Sequence, residues 1–263
     1  MRKALPILLL FFLLLCACEK NTWIVNTDPN YPTIIEKADP GHLAELRSEF
    51  ARENMYLKTS LDEYGFCGYS DNSMDAETPS IDTTVTESEA IEIAKKFLVR
   101  NSEFTGIKNT GSIDFNRVNR LKGFWDGNSG WHLLTANQSI DSIEVLSTSI
   151  LINLRGKEVY YCVGNWFPDI YIPDRFSLTG REAQDLLVNR TVTHFTWGGP
   201  VTLKITSESL QGSTIDIVAL PLEKNNHLEM HIAWKIYVPG VSFILYVDVM
   251  SGEVIREEPT FIS

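Results

Sequence analysis

His227-Leu228-Glu229-Met230-His231 is the first stretch whose residue types and spacing could do chemistry. Two histidines four apart present two zinc ligands when they lie on a helix. Here the glutamate stands in the wrong place for the zinc-peptidase motif, and the flanking residues alternate as a strand does. On a strand His227, Glu229 and His231 share one face. Two readings follow: a metal-dependent enzyme built on these three, or a solvated strip opposite Met230, Ile232, Trp234 and Ile236. Asp248 stands before a glycine turn. As a catalytic carboxylate it would need a partner and a shifted pKa; in a hairpin turn it accepts backbone hydrogen bonds. The turn role is expected, and with it a modest stability effect for Asp248→Asn. Cys67, in Gly65-Phe66-Cys67-Gly68-Tyr69, has no base in its local sequence. Asp71, Asp75, Glu77 and Asp82 miss the calcium-loop spacing. No phosphate-binding glycine loop, Gly-x-Ser-x-Gly elbow or Cys-x-x-Cys pair occurs. The expectation is therefore no enzyme, no cofactor and no bound metal.

The first eighteen residues set the compartment. Arg2 and Lys3 precede a charge-free apolar run from Ala4 to Leu15. That run is shorter than the roughly 20 residues that span a bilayer and has the form of an export signal. It ends Leu15-Cys16-Ala17-Cys18, which resembles a bacterial lipobox. The resemblance implies that Cys18 is acylated and becomes the first residue of the mature chain. Cys16 departs from the usual Ala, Ser or Thr, and lipidation at Cys16 itself would put bulky Leu15 at the cut. An ordinary cleaved signal with an incidental cysteine is the other reading. Glu19 is not the aspartate that resembles an inner-membrane retention signal. The outer membrane is thus the expected location, on its periplasmic face or at the surface.

Removing residues 1–17 takes away Arg2 and Lys3 and no acid, so 21 basic residues face 34 acidic ones and the mature charge is −13. A chain this acidic has no electrostatic footprint for nucleic acid. Anionic lipid would repel it too, so the acyl chain must supply the membrane attachment. At 44% hydrophobic and 11% aromatic, the chain can fill one large core or two smaller ones. Besides Cys18 the mature chain keeps Cys67 and Cys162. Export permits a disulfide between them. Two buried free thiols are the alternative, since Cys162 sits in the apolar run Val159-Tyr160-Tyr161-Cys162-Val163.

The elements that would position these residues repeat. Val85-Thr86-Glu87-Ser88-Glu89-Ala90 and Leu178-Thr179-Gly180-Arg181-Glu182-Ala183 each offer Thr as N-cap and Glu three residues later. The first helix continues through Ile91, Ala94, Phe97 and Leu98, an apolar stripe at helical spacing. The second continues through Leu186, Leu187 and Val188. Strand-like runs follow each. The first set contains 131–134 and 149–154, turning at Arg155-Gly156-Lys157 into 158–161. The second contains 201–205, 215–220, 230–238 and 242–248, turning at Met250-Ser251-Gly252 into 253–255. A helix on an antiparallel sheet, occurring twice, is the economical α+β architecture.

These residues carry a family resemblance. Thr86-x-x-Glu89-Ala90-Ile91-x-Ile93-Ala94 resembles the opening helix of PepSY-type domains. Ile232-Ala233-Trp234-Lys235-Ile236-Tyr237-Val238, with Leu245-Tyr246-Val247-Asp248-x-x-Ser251-Gly252-Glu253-Val254-Ile255, resembles their closing strands. It is similar also to the propeptide domain of thermolysin-type and fungalysin-type peptidases. The likeness covers Leu178 to Ile255 well. It covers the first module less well, because Arg155-Gly156-Lys157-Glu158 lacks the preceding Val-Asp, and residues 19–84 are not covered. The resemblance implies two tandem PepSY/cystatin-like modules without catalysis. It also implies an exported peptidase, or another envelope protein, as partner.

The expected organisation is a signal at 1–17, then a lipid tether, short helix and acidic linker at 18–84. Modules at 85–172 and 173–263 complete it. Asp39-Pro40-Gly41 opens the short helix, with Leu43, Leu46 and Phe50 as apolar positions, and Met55 and Leu57 as further candidates. Between the modules, Trp166-Phe167-Pro168-Asp169-Ile170-Tyr171-Ile172-Pro173 is a stiff aromatic connector. It either packs the modules together or exposes Trp166, Phe167 and Tyr171 as a protein-binding patch. Replacing Cys18 by Ala is expected to stop the protein partitioning into detergent. Extraction of the Cys18→Ala form alongside wild type would overturn the anchor.

Overall fold

The computed structural model describes residues 28–54, 57–71, 85–124, 128–196 and 199–260. The signal with Cys18, and the acidic linker from 72 onward, lie outside the described residues, as does Met55. Helices begin where the sequence offers a cap. After strand β1 (Thr33–Glu36), the Asp39 carboxylate accepts from the amides of Gly41 and His42 at 2.8 and 3.2 Å. Pro40 needs no partner for a missing N–H, so α1 runs Pro40–Glu53 and buries Leu43, Leu46 and Phe50. Strands β2 (Lys58–Leu61) and β3 (Cys67–Asp71) follow.

Helix α2 (Glu87–Arg100) starts at a reciprocal capping box: the Thr86 side chain accepts from Glu89 N, and the Glu89 carboxylate accepts from Thr86 N. It buries Ala90, Ala94 and Leu98 against the sheet below. A one-turn helix, α3 (Ser102–Thr105), ends it. Then come β4 (Phe115–Phe124), β5 (Asn128–Thr135), β6 (Ser139–Ile140), β7 (Ile143–Val145), β8 (Ser149–Arg155) and β9 (Glu158–Asn165). Helix α4 (Gly180–Asp185) has the same capping box at Thr179 and Glu182. It is shorter than the sequence suggests: the stretch from Leu186 becomes turns that end at Asn189 with φ 71°, although Leu187 still points into the core. The chain finishes with β10 (Thr191–Thr196), β11 (Gly199–Lys204), β12 (Thr214–Glu223), β13 (His227–Val238), β14 (Phe243–Asp248) and β15 (Val254–Pro259).

The result is a mixed α+β fold dominated by sheet. One sheet has the order β2-β3-β9-β8-β5-β4, the other β15-β14-β13-β12-β7-β6 with β1 along β13, and β10-β11 form a separate ribbon. Among these pairings only β7–β12 is parallel. Helix α2 lies on β5, β8 and β9, and α4 lies on β13. One apolar core joins α1 and α2 to the first sheet through Phe50, Leu98, Leu133 and Ile152. Two more lie on one face of the second sheet, around Met230 and Ile232 and around Leu187 and Phe243.

Three segments depart from the expected division. The β2-β3 hairpin, assigned to the tether and linker, joins the first sheet beside β9. Residues 139–145, assigned by sequence to the first module, form the β6-β7 hairpin, which extends the second sheet beside β12. Strand β1, assigned to the tether, pairs with β13 through Thr33↔Met230 to Glu36↔His227. The reason is an open edge: β14 covers β13 only from Ala233 to Val238. The last two bury apolar side chains, Val145 and Ile35, in the second sheet's core.

The two helices also share a device the sequence did not reveal. Trp131 on β5 donates from Nε1 to the Val85 carbonyl at 3.1 Å, and Trp234 on β13 donates to the Leu178 carbonyl at 3.0 Å. Val85 and Leu178 each precede a capping threonine. A strand tryptophan thus ties down each helix start. Gly180 is required there, because a Cβ would sit 2.8 Å from Ile215 and 3.3 Å from the Trp234 ring. Thr86→Ala and Thr179→Ala are expected to cost about 1 kcal/mol each and to add when combined. Denaturant unfolding of the two variants and their double mutant checks this.

Candidate functional site

The exposed-looking face of β13 carries the chemistry, and the structure brings His227, Glu229 and His231 together there. Their nitrogens turn to the glutamate between them: His227 Nε2 lies 3.0 Å from Glu229 Oε1, and His231 Nε2 lies 2.9 Å from Glu229 Oε2. The other ring nitrogen of His231, Nδ1, lies 2.7 Å from Asp248 Oδ2. A neutral imidazole has one donor. Both nitrogens of His231 face carboxylates, so the doubly protonated cation is the state that satisfies both contacts.

Asp248 is the buried end of the chain, with a side chain only 2% exposed. Its Oδ1 accepts from Met250 N at 2.9 Å, Ser251 N at 2.7 Å and Ser251 Oγ at 3.1 Å. This is the turn role expected from sequence. What the sequence did not show is Oδ2, shared by His231 and by Tyr31, whose hydroxyl is 2.5 Å away. Tyr31 Oη also lies 2.9 Å from Ile232 N and 3.0 Å from Ile232 O. The amide must donate, and of the two acceptors the Asp248 carboxylate is charged and closer than the Ile232 carbonyl. The single hydroxyl proton therefore goes to the carboxylate. A four-residue strand beside a proline gives no local signal for such a contact some two hundred residues away.

Electrostatics follow from this geometry. Burial pulls the His231 pKa down, but the hydrogen bonds and charges of Asp248 and Glu229 outweigh it, and the value rises above the usual imidazole range. Burial pushes Asp248 up, and the bonds from His231, Tyr31 and Ser251 bring it below the usual carboxylate range. Glu229 is likewise lowered: its desolvation is outweighed by His231 and His227. Burial, then the adjacent Asp248 charge, keeps the Tyr31 hydroxyl protonated far above the usual phenol range. Lys224 stands 3.6 Å from Glu229 at the outer end.

This chain holds charge firmly and leaves little free. Both nitrogens of His231 are engaged by carboxylates, Nδ1 by Asp248 and Nε2 by Glu229. Among the described residues, no three or more His, Cys, Asp or Glu are grouped to hold a metal ion. One cleft is lined by Leu46, Glu49, Phe50, Arg100 and Phe104, and another by Arg181, Gln184 and Leu210.

The remaining candidates divide. Trp166 and Phe167 are 5% and 3% exposed, the first in the core of the first sheet, the second in that of the second sheet. Of the two readings of the connector, the exposed patch is overturned for Trp166 and Phe167, and the connector packs the two sheets together. Gln138 clamps it, with Oε1 accepting from Phe167 N at 2.9 Å and Nε2 donating to Phe167 O at 2.6 Å. Tyr171 is half-buried, and its hydroxyl donates to Asp28 at 2.6 Å. Cys67 and Cys162 are two free, buried thiols here, not a disulfide; Cys67 Sγ lies 3.5 Å from the Cys162 carbonyl.

No family model and no curated protein matches the chain. Among solved structures it is similar to the Bacillus megaterium YpeB C-terminal domain, at 9% identity and a TM-score of 0.33 over 85% of this chain and 98% of that one. A likeness this loose fixes neither fold nor function.

The buried chain makes stability depend on pH in a definite way. The raised His231 contributes stability that is complete below its unfolded value, about 6.5, and is lost as pH rises through its folded value. The lowered Asp248 and Glu229 contribute stability that is complete above about 4.3 and is lost as pH falls through their folded values. Between those limits His231→Gln is expected to cost about 1–3 kcal/mol, with the gap to wild type narrowing above neutral pH. Asp248→Asn costs more than the modest effect expected from sequence, because its NH2 would face two donors. Melting temperatures measured from pH 4 to 9 check this, and a gap that is flat across pH overturns it.

Proposed function

We propose that this chain is a non-catalytic, lipid-anchored cell-envelope protein of two PepSY-like modules that binds another exported protein. An exported peptidase is the partner class that the sequence resemblance names. The observation that carries the reading is the state of His231. It is the group best suited to catalysis by type, and both its nitrogens are committed to carboxylates. Asp248, the second such group, has both oxygens filled by the turn, Tyr31 and His231. What supports two modules is the recurrence of the same three-part device: capping threonine, glutamate three residues on, and a strand tryptophan donating to the carbonyl before the cap.

With His231 and Asp248 committed internally, action through the surface is the reading that remains. The first sheet ends in β4, ten residues long and paired on one side by β5. Such an edge accepts an added strand, and the charges of Arg117 and Arg120 along it discourage indiscriminate pairing.

The test uses the purified chain. It is expected to hydrolyse no peptide, ester or phosphate substrate, to retain no stoichiometric zinc after dialysis, and to form a complex with one exported protein that purified components reproduce. A hydrolase activity that purifies with the chain and vanishes in His231→Ala, with the circular dichroism spectrum unchanged, overturns the reading.

A further inference from the structure

The β2-β3 hairpin is joined to the first sheet at one thin seam. Strand β3 meets β9 through two registered pairs, Ser70↔Cys162 and Asp71↔Tyr161. The two described cysteines sit at that seam. Cys67 enters from β3 and Cys162 from β9, each 1% exposed, within the same apolar cluster as Leu61, Ile152 and Leu154. Cys67 Sγ reaches to 3.5 Å from the Cys162 carbonyl oxygen.

We propose that Cys67 and Cys162 form an oxidisable dithiol whose disulfide staples the β2-β3 hairpin to β9. The neighbouring Cys67 thiol, and then burial, push the Cys162 thiol well above the usual thiol range. Cys67 travels with the lifted hairpin and is the sulfur that meets the reagent. Its thiolate, having given its proton to water, attacks one sulfur of a low-molecular-weight disulfide such as oxidised glutathione and expels one glutathione thiolate. Cys162, losing its proton in turn, then attacks the Cys67 sulfur of the mixed disulfide and expels the second. Two electrons pass from the protein to the reagent, and two glutathione thiols are the by-product. Because the folded core seals both sulfurs, the exchange takes place while the hairpin is lifted off β9.

The closed bond would span 95 residues of sequence separation, and a loop of that length restricts the unfolded chain strongly. The experiment refolds the full chain in oxidised and reduced glutathione, alkylates it under denaturing conditions and maps the peptides. A bridged pair of peptides carrying Cys67 and Cys162 is expected, together with a melting temperature that falls by about 5–15 °C on reduction. Full alkylation of both cysteines in natively refolded protein overturns the proposal. So does a bridge to Cys16 or Cys18 in place of this one, or a bridge whose reduction leaves the melting temperature unmoved. Run on purified chain in a glutathione buffer, the outcome is independent of export and of partner binding.

Discussion

A carboxylate that cannot be left unpaired organises the second half of the molecule. Asp248 is 1% exposed, and an isolated charge at such a site costs several kcal/mol or more. Its oxygens are satisfied only if the turn after β14 closes, His231 on β13 carries a proton, and Tyr31 reaches in from the N-terminal segment. Turn, central strand and N-terminal strand are thus three conditions on one group. Each is weak alone, since a turn, a half-buried histidine and a four-residue strand have little intrinsic preference to sit where they do. Together they share the cost of burying the charge, and the sheet acquires a fixed register at the place where β1 and β14 succeed one another along β13.

The same arrangement explains why residues of catalytic type need not be catalytic. A histidine between two carboxylates is held as a cation, and a carboxylate between a tyrosine, a histidine and two amides is held as an anion. Both states are lowest in energy when nothing else approaches. General acid–base chemistry uses a group whose proton state changes during the reaction, and these two groups hold theirs. The exposure of the side chains rises from 2% at Asp248 to 13%, 20% and 30% at His231, Glu229 and His227, so charge compensation grades outward to solvent.

What could be read from the sequence is what local physics decides. Thr86 and Glu89, Thr179 and Glu182, and Asp39 with Pro40 fix helix starts within a few residues, and each begins where its cap stands. The turns at Gly156 and Gly252, both with positive φ, mark two hairpins. Helix length was less legible, because Leu186 to Val188 keep a helical apolar pattern although tertiary packing ends the helix at Asp185. Long-range pairing was not legible at all. Strand β1 and the β6-β7 hairpin fill edges left by strands far away in sequence, and nothing in Thr33–Glu36 specifies β13. For the same reason the polar strip at 227–231 read as solvated: its buried partner Tyr31 belongs to a segment that looked like tether. Trp166 and Phe167 read ambiguously because a sticky connector looks alike whether it faces solvent or two adjacent cores.

The manner in which the N-terminal segment is held has a mechanical consequence. Chain arriving at Asp28 meets the Tyr171 hydroxyl at 2.6 Å, then the Tyr31 contact to Asp248, then a bond from the Tyr171 amide to Thr33 Oγ1 at 2.8 Å. Four registered pairs with β13 begin at that same Thr33. Hydrogen bonds between antiparallel strands run perpendicular to the strands. Tension directed along β1 is therefore taken in shear by all four pairs at once, not by one pair at a time as in unzipping. The strand that receives this tension is interior, flanked by β12 along its length, so force spreads into the sheet before it reaches any edge. A protein pulled by its leading end would yield first at the side-chain grips ahead of β1, and the folded body behind them would keep its shape.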